Sequence, residues 1–193
     1  MTFGELVAGS VHDAAPALLG WTLLVGGVGG RIVEVEAYEQ SDEASHSFRG
    51  PTRRTEVMFG EPGRLYVYRS YGLHWCANVV CEAPERGAAV LLRALEPTHG
   101  LESMRARRGL VAARLLCSGP GRLTQALGLT GEHNGASLLD PPFELLPPTR
   151  PPEVERTPRI GITKATERPW RYVETGTRFA SRPTRSRRDR RAA

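Results

Sequence analysis

Two stretches of this 193-residue chain hold the side chains best suited to chemistry. Glu34-Val35-Glu36-Ala37-Tyr38 places two carboxylates and a phenol at alternate positions. Tyr66-Val67-Tyr68-Arg69-Ser70-Tyr71-Gly72 gathers three tyrosines, and His46 lies between the two stretches. Residues two apart on a strand share a face, so Glu34, Glu36 and Tyr38 fall on one side and Val33, Val35 and Ala37 on the other. A carboxylate can act as a general base or steady a developing positive charge. Tyrosine rings can stack on a flat, electron-poor ring. A site that holds such a ring and attacks the bond beside it needs both kinds of residue.

Each feature also has a plainer explanation. Carboxylates at i and i+2 suit a solvated strand edge. The balance is tipped by Tyr38 on their face and by Arg93, which lies in the apolar run Ala88 to Leu95 and needs an anionic or hydrogen-bonding partner there. That partner could serve structure as readily as function. Tyr66 and Tyr68 fit a core as well as a ligand platform. Tyr71 differs: beside Gly72 at a hairpin tip it has little core to join, and wedging between stacked bases is one use for an exposed ring. His46 and Asn78 carry no weight alone. No Ser-His-Asp set and no metal-ligand spacing stands out, so no metal or cofactor is expected.

The elements that must position these residues follow from pattern. Residues 17 to 38 read as strands about Gly26-Gly27-Val28-Gly29-Gly30, a cluster that joins strand to strand without a following helix and so fails the dinucleotide fingerprint. Residues 39 to 62 read as a long loop carrying His46. Leu65 to Arg69 and Leu73 to Val80 form a hairpin turning at Ser70-Tyr71-Gly72, and residues 88 to 95 form a further strand. Leu101 to Leu116 has helical composition, and Pro120 suits the first turn of a helix running to Leu127. Seven prolines between Asp140 and Pro158 predict an extended loop. Arg159 to Thr163 and Trp170 to Val173 read as short strands. The expected fold is α+β: one domain over residues 1–180, built on a mainly antiparallel sheet, followed by an Arg-rich tail, 181–193, without fixed structure.

Composition narrows the function classes. No run of eighteen or more apolar residues offers a transmembrane helix, and Met1 to Ser10 has no basic region ahead of an apolar core. Cys76, Cys81 and Cys117 are odd in number and fit free thiols in a reducing cytoplasm. The net charge is +5, yet Arg182 to Ala193 alone holds six arginines and one aspartate, so the remainder is neutral. Attraction to phosphates through net charge therefore belongs to the tail, whose other reading is a solubilising end from a GC-rich genome. Lys164 is the only lysine, as that bias would give.

Taken together, the segments resemble the alkyladenine (3-methyladenine) DNA glycosylase family in its compact bacterial form. The matching pieces are Glu34 to Tyr38, Glu43 to Ser47, Met58-Phe59-Gly60, Pro62 to Tyr68, Tyr71-Gly72, Asn78, Val90 to Pro97 and Leu116 to Gly121. They stand in the family's order from about Pro16 to about Val173. The resemblance implies a curved antiparallel sheet with a hairpin that enters the DNA minor groove. It implies an enzyme acting on duplex DNA that contains damaged purines, without cofactor, in the cytoplasm at the nucleoid; single-site action on DNA requires only a monomer. Position by position, Glu36 matches the general base for the attacking water, Arg93 an arginine holding that water, and the Ile160 carbonyl a third contact to it. Tyr38, His46 and Tyr68 match the walls of the base pocket, Asn78 the residue that crowds the guanine 2-amino group, and Tyr71 the residue inserted where the flipped nucleotide was. One departure is Thr55, where the family commonly has Asn after Thr-x-Arg.

Two other classes share part of this pattern. A module that recognises distorted DNA without cutting it would use the hairpin and tail but would not need Glu36 opposite Arg93. A small-molecule hydrolase would not need Tyr71 exposed. For the tail, deletion of Arg182 to Ala193 is expected to weaken duplex binding and flatten its dependence on salt. Binding titrations at several salt concentrations measure this, and an unchanged slope would show the tail to be inert.

Overall fold

The computed structural model describes residues 1–181. Two short helices that the strand pattern does not announce open the chain. Thr2 and Glu5 form a reciprocal capping box at the start of α1 (Phe3–Ala8), and Ser10 caps α2 (Val11–Leu18). Their inner faces bury Phe3, Leu6, Val7, Val11, Ala14, Ala15 and Leu18 against the sheet. Residues 17 and 18 thus close a helix, and strand begins only at β1 (Thr22–Val25). Gly26 and Gly27 alone make the turn, with φ of 56° and 76°, a pair of positive values that suits a tight hairpin between right-twisted strands. Gly29 and Gly30 belong to β2 (Val28–Tyr38), where neighbouring backbone leaves no room for a side chain.

The remaining strands are β3 (Leu65–Ser70), β4 (His74–Cys81), β5 (Ala88–His99), β6 (Phe143–Leu146), β7 (Val154–Thr157) and β8 (Arg171–Glu174). All pair antiparallel, in the order β3-β4-β5-β2-β1-β6, with β8 joining β2 to β7. The fold is a mixed α/β architecture about an open antiparallel sheet, as the pattern predicts. β2 is its axis: β5 runs along one edge, while β1 pairs with its start and β8 with its end.

The β2–β5 ladder is irregular where chemistry is expected. Ile32 faces Leu95, Glu34 faces Ala94 and Val35 faces Leu92, so Val33 and Arg93 have no direct opposite. Such bulges reset the alternation of a strand. Ile32, Val35 and Ala37 therefore enter the main core, while Val33 packs with Ala94 and Phe179 in a separate cluster. Simple alternation misplaces Val33; it places Glu34, Glu36 and Tyr38 on a common side.

Other boundaries shift for local reasons. The helical stretch 101–116 is two helices, α3 (Leu101–Arg108) and α4 (Ala113–Leu116), because Gly109 ends the first in the left-handed conformation, φ 63°. α5 (Pro120–Leu127) stands as expected, with Pro120 in its first turn. The proline-rich segment holds β6 and β7, whose prolines flank the strands without interrupting them. Arg159 to Thr163 is not a strand but a loop, because Arg159 turns to a buried Asp42 instead of continuing β7. The expected tail begins at 181, yet Ser181 is itself buried; residues 182–193 lie outside the described residues.

The glycine contacts make a pair of contrasting predictions. A Cβ on Gly30 would sit 1.9 Å from the Glu96 carbonyl oxygen, so Gly30→Ala must push β2 from β5. A loss of about 3 kcal/mol or more in unfolding free energy is expected. Gly26→Ala meets open space and faces only the left-handed backbone, a loss of about 1 kcal/mol. Urea melts measure both, and equal midpoints would mean that the β2–β5 register yields.

Candidate active site

The bulges in β2 and β5 bring Glu34, Glu36 and Arg93 together out of water. Glu34 and Glu36 have no exposed surface and Arg93 has 6%. Arg93 Nε donates to Glu34 Oε1 at 2.9 Å, Nη1 lies 3.1 Å from Glu36 Oε2, and Nη2 donates to Ser181 Oγ at 3.2 Å. Glu34 is surrounded further: Arg171 Nε donates at 2.7 Å, the Ser181 hydroxyl at 2.7 Å, and the Ser181 N–H to the other oxygen. Burial alone would raise the Glu34 carboxyl, but Arg93, Ser181 and Arg171 outweigh it and hold it below the usual carboxylate range. The same balance works on Arg93, where burial opposes the charge and Glu36 and Glu34 more than restore it.

Glu36 has a different set of partners. Its Oε1 accepts the Ile160 N–H at 2.8 Å, and its Oε2 accepts the Tyr38 hydroxyl at 2.8 Å beside the Arg93 contact. Burial first, and then the Glu36 charge, push the Tyr38 phenol far above its ordinary range, so it remains a donor. Three donors from three segments thus converge on one carboxylate.

A cleft of about 1030 Å³ opens in front of this group. Tyr38, His46, Tyr68, Tyr71, Asn78, Arg93 and Ile160 all line it. Of the eight residues to which the resemblance assigns a role, only Glu36 does not line the cleft; it is fully buried among its own donors. Tyr66 and Tyr68 stack at 5.5 Å between ring centres, and His46 meets Tyr68 edge-on at 4.5 Å. His46 Nδ1 lies 3.1 Å from the Tyr66 hydroxyl. Burial, with Arg54 adding to it, lowers the His46 pKa and favours the neutral imidazole. Asn78, buried on β4, donates to the Tyr66 carbonyl at 3.0 Å. These contacts form a flat-sided slot of aromatic walls with a carboxylate at its back.

Tyr71 stands at the tip of the β3–β4 hairpin, 90% exposed, at the mouth of the same cleft. Leu73, two residues on, is 72% exposed and makes the tip doubly apolar, which the sequence reading overlooked. The cleft also holds Arg54, Arg108, Arg122 and Lys164. Thr55, the departure noted above, bonds within its own loop, accepting the Thr52 N–H at 2.9 Å. Ser181, Arg171, Asp42 and Arg159 were also missed. Arg171 lies in a stretch read as a strand, but only the pairing of β8 with β2, which sets it opposite Glu36, brings it to Glu34; nothing in the sequence marks Ser181. Among the described residues no three His, Cys, Asp or Glu side chains group as a metal site would require.

Known proteins bear on this arrangement directly. The pattern of the family described as methylpurine-DNA glycosylase matches residues 5–178. A protein of Rhodopseudomonas palustris strain HaA2, named "Putative 3-methyladenine DNA glycosylase", is 61% identical over 176 residues, 91% of this chain and 88% of its own length. One of Nitrosospira multiformis with the same name is 60% identical over 173 residues, 90% of each chain. One of Granulibacter bethesdensis, again so named, is 55% identical over 89% of this chain and 82% of its own. With nearly its whole length matched, the chain belongs to the methylpurine-DNA glycosylase family.

Proposed function

We propose that the protein is a monofunctional DNA glycosylase that excises alkylated purines of the 3-methyladenine type from duplex DNA, leaving an abasic site for repair. The observation that carries this reading is the Glu36 carboxylate, held by the Ile160 N–H, Tyr38 and Arg93 at the back of an aromatic slot. The names of the relatives support the same substrate class.

A duplex hides the glycosidic bond, so the nucleotide must leave the stack, at a cost of a few kcal/mol that is least for a weakened pair. Tyr71 fills the gap, and its exposure and position at the cleft mouth suit it to that task. The extruded base enters between Tyr38, His46 and Tyr68, while Asn78, on the strand behind Tyr66, crowds a guanine amino group. Arg108 and Arg122 line the cleft, and neither forms an ion pair among the described residues, which leaves cations for backbone phosphates. One copy of the chain suffices for these contacts.

An alkylated purine is cationic and departs as a neutral base, so the leaving group needs no added proton. As the C1′–N bond stretches, the sugar becomes an oxocarbenium ion. The buried carboxylate stabilises that charge, aligns water with C1′ and accepts its proton as the new C–O bond forms. Arg93 and the main chain at Ile160 bound the place between Glu36 and the cleft where this water sits. Lyase-type glycosylases attack instead through an amine. Lys164 lines the cleft, but its side chain is more than half exposed and lies 3.8 Å from Glu43. It is assigned no part in bond cleavage.

Two measurements test this. Methylated duplex DNA incubated with the pure protein is expected to release free methylpurine. Glu36→Gln should cut the rate by about 10³-fold or more while damaged-duplex binding survives. Release near the wild-type rate would remove Glu36 from the mechanism, and binding without release by the wild type would make the protein a damage-recognition module. Borohydride added during turnover should trap no covalent adduct, whereas a trapped adduct would establish amine chemistry.

A further inference from the structure

Three of the segments that wall the slot are the end of β2 with Tyr38, the loop 39–48 with His46, and the loop 158–165 with Ile160. One buried guanidinium ties them together. The side chains of Arg159 and Asp42 are both fully buried. Arg159 Nη1 donates to the Ala37 carbonyl at 3.1 Å and to Asp42 Oδ2, while Nη2 donates to Asp42 Oδ1 at 3.0 Å and to the Ala165 carbonyl at 3.5 Å. Asp42 in turn accepts the Ala44 N–H at 3.1 Å, which shapes the turn leading to His46. The guanidinium carbon lies 4.5 Å from the ring centre of Tyr38 and 5.0 Å from that of Trp170. Trp170 is braced by the His12 ring at 4.4 Å and by Arg168 at 4.5 Å.

We propose that Arg159 is a positioning residue for the reaction, acting on Glu36 through two of its three donors. Ile160, the next residue, gives Glu36 its main-chain N–H, and Tyr38, whose ring Arg159 packs on, gives its hydroxyl. A planar fork is needed for both jobs, because it grips a carboxylate with two parallel bonds while lying flat on a ring. Lysine would keep the charge and lose both. Arg159 Nε is the one buried side-chain polar atom among the described residues without a hydrogen-bond partner. Arg159→Lys leaves no such orphan, which offsets part of the lost contact and favours a folded variant.

The catalytic consequence rests on the glycosylase reading, but the geometry can be tested apart from it. Backbone amide exchange, read by NMR on the full chain, is compared for the wild type, Arg159→Lys and Asp42→Asn. The Ile160 amide is expected to exchange about tenfold or more faster in both variants, with the β4–β5 ladder unchanged. Single-turnover excision of methylated duplex should slow by a similar factor, with affinity held within about twofold. Unchanged protection at Ile160 would overturn the proposal, as would faster exchange with excision at the wild-type rate. If the β4–β5 amides also accelerate in Arg159→Lys, the fold itself has loosened and Asp42→Asn decides by the same criterion. If the wild type releases no base, the glycosylase reading falls, and exchange alone decides whether Arg159 holds Ile160.

Discussion

A guanidinium set between two carboxylates away from water must be held on every side, and Arg93 is. Taking such ions out of water costs several kcal/mol each unless geometry and hydrogen bonding restore it. Here each face of the fork has a partner: Glu34 at Nε, Glu36 at Nη1 and Ser181 at Nη2. Arg171 brings the buried group to two cations and two anions, which balances it. The two carboxylates are not equivalent, however. Glu34 takes two guanidinium groups, from Arg93 and Arg171, together with the hydroxyl and N–H of Ser181. Glu36 is gripped by groups that themselves line the cleft. Glu34 anchors the arginine, and Glu36 is the carboxylate tied to Tyr38 and Ile160, two residues that wall the slot.

The sheet exists in the form it does because that cluster must be assembled from distant parts of the chain. β2 supplies both carboxylates and Tyr38, β5 supplies Arg93, and β8 supplies Arg171 by pairing with the end of β2. A regular β2–β5 ladder would alternate Ile32, Glu34 and Glu36 on one side and send Arg93 to whichever side its neighbours dictate. The paired irregularities at Val33 and Arg93 instead let Ile32 and Val35 both enter the core while Glu34 and Arg93 meet. Close approach of backbone at Gly29 and Gly30 then fixes β1 and β5 on the two edges of β2.

This explains which parts could be read from residues alone. The hairpins, α5 and the common side of Glu34, Glu36 and Tyr38 are local matters of period and turn chemistry, and the sequence carries them. An arginine among apolar residues announces that it has a partner, and Arg93 has two. The position of Val33 depended on a bulge, which has no local signature here. Arg159 looked like part of a strand because its neighbours are apolar and alternate; its actual conformation is decided by Asp42, 117 residues earlier. Ser181 acts 147 residues from Glu34, at what seemed the start of a tail. Long-range satisfaction of buried charge is the kind of constraint that a window of sequence cannot contain.

The hairpin tip obeys the opposite logic. Tyr71 takes a left-handed backbone, φ 50°, which costs a residue with a side chain about 1 kcal/mol or more. Its ring and the Leu73 side chain are left in water, so neither returns that cost to the folded state. The strands beneath are firmly braced. Six paired positions join β3 to β4, the Thr124 hydroxyl donates to the Trp75 carbonyl at 2.8 Å, and Gly131 and Gly121 admit Trp75 and His74 where a Cβ would come within 2.8 Å of them. A rigid stem under an apolar tip that gains nothing from its own fold is what a wedge requires. Force applied at Tyr71 by a stacked duplex would pass into β4, and from β4 into β5 and the strand that carries Arg93. The element proposed to hold the helix open and the element proposed to cut the bond are thus parts of one continuous sheet.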